Sequence, residues 1–478
     1  MQWVRQCKDT FIRRYNDLGY ITSQLSKRDR VYDEIGALFL SKINRTAHTV
    51  DEIVDELHAQ FSDVSREMLR ADFGEFIQEL AAEGFLVTGR SEADLDRKDH
   101  GFTYLTDAPK TAALNFLAQD KNPALRDTAD FFYSYFRDHP VIFGMHLEIT
   151  GHCNERCLHC YLPRPEKVAV MPLSMARDLL DQLQAMGTVS VTFSGGEPFT
   201  HKQFAEMLIY ARNNDFSINI LTNGTLIRNE IIPVLKQVNL NMVQVSIYSM
   251  DPDIHDRITQ HRGSLRKTLA ATEKLIASGI PVQISCPVMR INKDSYTGVA
   301  QWARQHQVRV LSDFIMMART DFDTGNLAYR LSIDETGQLI RNIINEDETY
   351  QAILAAEPPA GDAARKAEQP VCGVGVDNAC VNAEGNVYPC AGFQGITLGN
   401  VSQQSLADIW ANSEALKTLR AVTNASFPQC LNCAANDYCA MCLVRNFNES
   451  GGDIFAINEH YCKVAFLTRD LVTGTAGN

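Results

Sequence analysis

Between residues 140 and 320 the chain alternates short β-rich runs with amphipathic segments, and this alternation limits the fold more than any other feature of its 478 residues. The strand-like runs are Met145–Thr150, Val189–Ser194, Ser217–Thr222, Val243–Tyr248, Val282–Val288 and Val310–Met316. Amphipathic segments lie between them near 174–186, 201–213, 227–237, 265–278 and 294–306. The first is expected to start on Ser174 as N-cap, to carry Leu179, Leu180, Leu183 and Met186 on one face, and to stop at Gly187. Repeated βα units of this kind predict a parallel sheet, and in barrels built from them the chemistry sits at the C-terminal ends of the strands.

A cysteine triplet stands at such an end. Directly after the first run comes Thr150-Gly-His-Cys-Asn-Glu-Arg-Cys-Leu-His-Cys-Tyr161, which offers the thiols of Cys153, Cys157 and Cys160. A cubane 4Fe-4S cluster takes four ligands, so three thiolates leave one iron open to something other than protein. Structural zinc is usually held by two tight cysteine pairs, which an isolated triplet does not provide. Disulfides fit poorly, because the chain opens Met-Gln-Trp-Val-Arg with no apolar secretory segment. The Cys-x3-Cys-x2-Cys spacing resembles the signature of the radical SAM (S-adenosylmethionine) superfamily. That resemblance implies an α/β fold with a partial (β/α)6 barrel. It also implies SAM bound through its amino and carboxylate groups to the open iron, and cleaved by one electron to a 5′-deoxyadenosyl radical that abstracts a substrate hydrogen.

The same resemblance assigns a SAM site. Ser194-Gly195-Gly196-Glu197-Pro198 follows the second run. Its two glycines allow a close backbone approach to a ligand, and Glu197 adds a carboxylate. It resembles the family motif that binds the methionine amino group. Asn223 ends the third run, where a plain turn residue is the alternative. Ser246, on the fourth run, matches a position that contacts the ribose. Arg290, past the fifth, has the planar fork to pair with the methionine carboxylate, with a solvated loop charge as the alternative. His159 stands where many members carry an aromatic residue packed on adenine, and Tyr161 is expected to supply that stacking.

Eight more cysteines crowd the C-terminal part: Cys372, Cys380, Cys390, Cys430, Cys433, Cys439, Cys442 and Cys462. Eight thiolates suit two fully ligated 4Fe-4S clusters, while Cys430-x-x-Cys433 and Cys439-x-x-Cys442 also look like two zinc knuckles. Cys372, Gly385 and Cys390, the Cys430–Cys442 run and a last Cys462 follow an order that resembles the SPASM domain of peptide-modifying radical SAM enzymes. The Cys439-to-Cys442 gap is one residue shorter than usual. By that analogy Cys372, Cys380, Cys390 and Cys442 hold one auxiliary cluster and Cys430, Cys433, Cys439 and Cys462 the other, giving three 4Fe-4S clusters in all. If Cys380 does not bind, the inner cluster has an open iron. Cys286, on the fifth run, is expected to be a core thiol, with a place inside the barrel as the alternative.

Residues 1–90 carry no cysteine cluster. Phe11–Tyr15, Gly19–Thr22 and Arg30–Tyr32 read as strands, with turns at Asn16-Asp17 and Lys27–Asp29. Helices follow: Thr49-Val-Asp-Glu52 is a capping box, and Leu69, Phe73, Phe76, Ile77 and Leu80 line a helix that stops at Gly84. Strands followed by helices suggest a winged helix-turn-helix, but the longest helix is not basic enough for DNA. The arrangement resembles the RiPP recognition element, a PqqD-like domain that binds the leader of a ribosomally made peptide as an added strand. Thr88–Gly101 and Ala355–Pro370 read as linkers, and 108–138 as bridging helices. The expected organisation is 1–90 for leader binding, 91–139 for linker and bridging helices, 140–355 for the barrel and 356–478 for the SPASM domain.

The net charge of −13 argues against a nucleic-acid partner, and no apolar run is long enough to span a bilayer. Reduced cysteines, an oxygen-sensitive cluster and no targeting segment point to the cytoplasm. These features together predict a peptide maturase that forms an intramolecular crosslink, a thioether of the sactipeptide or ranthipeptide kind. Its partners would be a precursor peptide and an electron donor such as flavodoxin or ferredoxin. The alternatives are carbon–carbon (cyclophane-type) crosslinking, sulfatase maturation, or a non-catalytic zinc-binding regulator that binds leaders.

Overall fold

The computed structural model describes residues 2–61, 63–99, 135–163, 168–346, 367–439 and 441–474. The N-terminal part runs β1 (Trp3–Gln6), β2 (Thr10–Tyr15), β3 (Leu18–Ser23), β4 (Asp29–Tyr32), α1 (Glu34–Ser41), β5 (His48–Thr49), α2 (Val50–Gln60), α3 (Arg66–Ala82), β6 (Leu86–Gly89) and α4 (Glu92–Lys98). Strands β2, β3 and β4 form an antiparallel sheet in that order, with a two-residue turn at Asn16-Asp17 where Asn16 adopts φ 53°. The capping box is present: Thr49 Oγ1 accepts from Glu52 N and Glu52 Oε2 from Thr49 N. Leu69, Phe73, Ile77 and Leu80 are buried along α3, while Phe76 is half-buried against Tyr32 and Phe39.

The polar stretch expected to be a linker from Thr88 is ordered as far as it is described. Thr88 and Gly89 pair with β1 in the second small sheet, β5-β1-β6. Leu95 of α4 is fully buried, and Asp99 accepts from Arg5 and from Lys8 N. One large apolar side chain in a seven-residue charged helix leaves no periodicity to read. Of the bridging helices expected over 108–138, only 135–138 fall among the described residues, and they are helical. Most of the second linker lies outside the described residues.

The barrel strands are β7 (Gly144–Thr150), β8 (Ser190–Gly195), β9 (Ser217–Thr222), β10 (Met242–Ser246), β11 (Val282–Pro287) and β12 (Arg309–Asp313), all parallel to their neighbours. The helix after β7 spans Leu173–Ala185 and has Pro172, not Ser174, as its N-cap, with no side-chain cap bond. Proline fixes the extended entry two residues earlier, which places Ser174 in the first turn. A helix at Pro252–Thr259, missing from the sequence reading, precedes the one at Ser264–Ala277.

The sheet does not end at β7. The strand β13 (Asn378–Val381), from the C-terminal cysteine region, pairs parallel with β7, and β14 (Asn386–Tyr388) and β15 (Gly399–Asn400) continue it antiparallel. Met145, Leu147 and Ile149 of β7 enter the main core, leaving His146, Glu148 and Thr150 for the barrel interior. Cys286 belongs to that core with Ile284 and Val288, so its thiol turns away from the interior.

The N-terminal domain docks on the loops that precede β8, β9 and β10. Arg13 Nε donates to Thr188 O at 2.9 Å, and Arg13 and Arg45 both pair with Asp215. Gln24 Nε2 donates to Asn239 O, Ser217 Oγ donates to Gln24 Oε1, and Lys27 Nζ donates to Asn241 Oδ1. Tyr15 and Tyr20 pack with Phe136 and Val189 behind this polar seam.

Candidate functional site

The cysteine loop leaves β7 at Thr150 and is pinned on two sides. Arg156 N donates to Thr259 O and Leu158 N to Ile258 O, which ties it to the Pro252–Thr259 helix. Asn154 exchanges hydrogen bonds with Asn223 and Thr225 past the end of β9. Cys153 is exposed, and Cys157 and Cys160 are half-buried. Desolvation raises the Cys153 thiol to about 12, and burial raises the Cys157 thiol well above its ordinary value; Glu155 and Cys160 add to both shifts. Without a metal these thiols stay protonated; bound iron supplies the positive charge that makes thiolates of them. Among the described residues, no three histidine, cysteine, aspartate or glutamate side chains gather closely enough to share a single metal ion. A cubane presents four separate iron corners, which suits thiols spread around a space.

The Gly195-Gly196 turn serves this loop. A Cβ on Gly195 would stand 2.2 Å from Thr150 O, and one on Gly196 2.3 Å from His152 O. Gly195 also holds φ +123°, which favours glycine. Gly196 N and Glu197 N donate to Thr150 O and His152 O. The glycines therefore admit the backbone of the cysteine loop itself, where the sequence reading expected a ligand. Glu197 is fully buried. Its carboxylate accepts from Thr222 Oγ1 at 2.8 Å, Asn223 N at 2.8 Å and Phe199 N at 3.1 Å. Burial raises its pKa to about 7, with those three bonds opposing the shift. The carboxylate thus ties the turn after β8 to the end of β9.

The remaining expected SAM contacts fall around this centre. Ser194 Oγ is bonded to His146 Nε2, and Ser246 lies beside the Tyr248 phenol. Asn223 is engaged with Asn154 and Thr225. Arg290 is half-exposed and paired with Glu335 at 3.4 Å, so its fork is turned to a surface partner. The Tyr161 phenol lies near Glu148 and among Cys160, Cys380 and Cys390, between the triplet and the C-terminal cysteines. The His159 ring packs edge-on against Tyr248, with centroids 5.1 Å apart.

The C-terminal cysteines fall into an inner and an outer group. Burial raises the thiols of Cys372, Cys390 and Cys380; Cys442 adds to the first two, and Glu148 and Cys390 add to the third. Cys430, Cys433, Cys439 and Cys462 line a cavity of about 200 Å³, where burial raises the thiols of Cys430, Cys439 and Cys462 and neighbouring cysteines of the group add to it. Ala435 N donates to Cys433 Sγ at 3.4 Å. Cys380 on β13 is fully buried and in register with His146 of β7, so the inner group reaches the barrel wall.

Three residues near the site went unnamed in the sequence. Glu148 is 6 % exposed and accepts from Gln394 Nε2 at 3.0 and 2.9 Å, and burial raises its pKa to about 7. His146 is held neutral by burial, its pKa lowered to about 4. Tyr248 places its hydroxyl 3.8 Å from Cys157 Sγ. The alternation His146, Glu148, Thr150 against Met145, Leu147, Ile149 was the signal for the first two.

A model of the radical SAM superfamily matches residues 147–303, one of an iron–sulfur cluster-binding domain (SPASM) matches 372–434, and one of coenzyme PQQ synthesis protein D (PqqD) matches 29–86. The chain is 27% identical over 297 residues to the PqqA peptide cyclase of Xanthomonas oryzae pv. oryzae, covering 59% of this chain and 77% of that one. It is 24% identical over 337 residues to the AdoMet-dependent heme synthase of Methanosarcina barkeri, covering 66% and 94%. The fold is similar to Streptococcus suis SuiB bound to its precursor peptide SuiA, with a TM-score of 0.62, 14% identity and coverage of 96% and 99%. The chain is a radical SAM enzyme whose barrel is joined to a SPASM domain and a PqqD-like domain.

Proposed function

We propose that the enzyme matures a ribosomally made peptide: residues 1–90 hold its leader, and the barrel joins a carbon of the core peptide to a cysteine sulfur as a thioether. The observation that carries this reading is a PqqD-like domain fixed to a barrel whose mouth bears the cysteine triplet. Strand β4 ends its sheet, and among the described residues no strand pairs with its outer edge. That edge is the geometry a leader needs to add as a further strand. Two relatives support a peptide substrate: the curated cyclase is named for a peptide, and SuiB was solved with one.

On this reading Cys153, Cys157 and Cys160 hold the SAM-binding cluster. Cys372, Cys380, Cys390 and Cys442 hold the inner auxiliary cluster, and Cys430, Cys433, Cys439 and Cys462 the outer one. When bound and reduced, SAM on its cluster supplies a 5′-deoxyadenosyl radical that removes a hydrogen atom from the peptide. Ser194, Gly195, Gly196, Glu197, Asn223, Ser246 and Tyr161 surround the place for SAM, and Arg290 joins them only if it leaves Glu335. His146, Thr192, Asn219 and Gln244 line the barrel interior with donors and acceptors that orient the peptide. Joining carbon to sulfur removes two hydrogens in all, and an auxiliary cluster held by the C-terminal cysteines would accept the electron left over. A flavodoxin- or ferredoxin-type donor supplies the initial electron. Among the described residues, no helix is long and apolar enough to cross a membrane.

Anaerobic reconstitution followed by metal analysis and reaction with a cysteine-containing precursor tests this. About twelve irons per chain are expected for three cubanes. Zinc with little iron would overturn the cluster assignment. Loss of two hydrogens from the peptide, abolished by alkylating its cysteine, supports the thioether. The same loss with the cysteine still free would establish carbon–carbon closure instead.

A further inference from the structure

We infer that Tyr248 tunes the cluster of the cysteine triplet by donating its phenolic hydrogen bond to the sulfur of Cys157. The inference rests on the proposed reading that Cys153, Cys157 and Cys160 hold a SAM-binding cubane. Tyr248 lies two residues beyond the end of β10, where the chain turns over the barrel mouth. Its residue is 4 % exposed, and its hydroxyl stands 3.8 Å from Cys157 Sγ, within reach of an O–H···S bond.

The phenol is held there from every side. Its ring meets His159 edge-on at 5.1 Å and His255 at 5.2 Å, and sits among Ile258, Met289 and Met316. Its backbone N–H donates to His255 Nδ1, and its carbonyl accepts from Asn292 Nδ2 at 2.8 Å. The second polar group at this sulfur is the Glu155 carboxylate, 3.8 Å away and held by Ser264 Oγ. A thiolate has no proton to give that carboxylate, so once Cys157 binds iron the tyrosine is the donor between the two. Hydrogen bonds to cluster sulfurs are among the determinants of a cluster's potential. The positive end of the O–H dipole favours the more negative, reduced cluster and raises its potential.

An EPR-monitored redox titration of the reconstituted holoenzyme tests this, following the signal that changes on adding SAM. Three proteins are compared: wild type, Tyr248→Phe, and protein with 3-fluorotyrosine incorporated at position 248, a stronger donor that keeps the ring. At the wild-type midpoint, Tyr248→Phe is expected to lower the reduced-to-oxidised ratio about threefold. At 59 mV per tenfold for one electron, that is about 30 mV negative. The fluorinated phenol is expected to shift the potential the other way. A packing role alone would move neither potential, and the same midpoint in the fluorotyrosine protein and wild type overturns the inference. If Tyr248→Phe fails to take up iron, the fluorotyrosine comparison alone decides. A wild-type protein with no SAM-responsive signal would overturn the cluster reading itself, and the inference with it.

Discussion

Gly196→Ala probes the clamp between the Gly-Gly turn and the cysteine loop. The new Cβ would meet His152 O at 2.3 Å, His152 C at 2.5 Å and Cys153 N at 2.9 Å. All three are backbone atoms, so no flexible side chain can swing aside. Two hydrogen bonds cross the same seam, Gly196 N to Thr150 O at 2.7 Å and Glu197 N to His152 O at 2.8 Å. Losing both costs about 1–3 kcal/mol, and overpacking adds about 1–3 kcal/mol. The chain can escape this cost only by moving the backbone that carries Cys153. Gly196→Ala should therefore reconstitute with about four fewer irons than wild type, one cubane, while the auxiliary clusters persist. Its SAM-dependent EPR change should vanish and its urea midpoint should fall. Gly74→Ala is the control: that glycine lies within α3 with nothing within 4 Å of the added Cβ, and the change should stabilise by about 1 kcal/mol. Wild-type iron, SAM response and urea midpoint in Gly196→Ala would refute the clamp.

Two further outcomes follow from buried charge. Asp215 pairs with Arg13 at 3.3 Å and Arg45 at 2.5 Å, and the Arg13 side chain is only 8% exposed. Asp215→Ala should cost about 1–3 kcal/mol by urea unfolding and speed proteolytic release of the N-terminal domain, and equal rates would count against this anchor. The folded Glu148 carboxyl titrates near 7, above its ordinary 4.5, so the folded protein binds more protons between those values. Its stabilising contribution is full below about 4.5 and is lost as pH rises through about 7. Urea midpoints of cluster-free protein at pH 5 and pH 8 should therefore fall more in wild type than in Glu148→Gln, and parallel falls would show that Glu148 does not titrate in this window.

The six barrel strands were readable because buried parallel strands concentrate apolar, β-branched residues between helix-forming segments, and the cysteine spacing is local. What was missed depends on partners distant in sequence. Strand β13 is four residues long, and nothing in Asn378–Val381 indicates that β7 will accept it as a neighbour. Glu197 is singled out by its motif, but two of its three donors, Thr222 and Asn223, come from the end of β9 and only the fold shows them. Arg290 reads as a free fork because Glu335 arrives from a helix 45 residues later in the chain that the sequence reading did not expect. Tyr248 looked like the end of a strand, and only the fold brings Cys157 to its hydroxyl.

The docking seam changes what a leader domain can contribute. Thr188, Asp215, Asn239 and Asn241, which receive Arg13, Arg45, Gln24 and Lys27, all precede their strands, whereas the cysteine triplet follows the end of β7. The domain and the triplet therefore occupy opposite ends of the sheet, separated by at least the length of a barrel strand. For the six residues of β8 that is about 20 Å. On the proposed function, a leader held by this domain must cover at least that length before its core reaches the mouth. An extended chain covers about 3.3 Å per residue, so fewer than about six residues between the docked segment and the modified one cannot span the gap. Longer spacers reach it, but local concentration then falls roughly as the −3/2 power of spacer length. Because the seam is built from ion pairs and hydrogen bonds backed by a buried aromatic cluster, the distance is set by the fold, and on the proposed function spacer length would be the variable that separates good peptide substrates from poor ones.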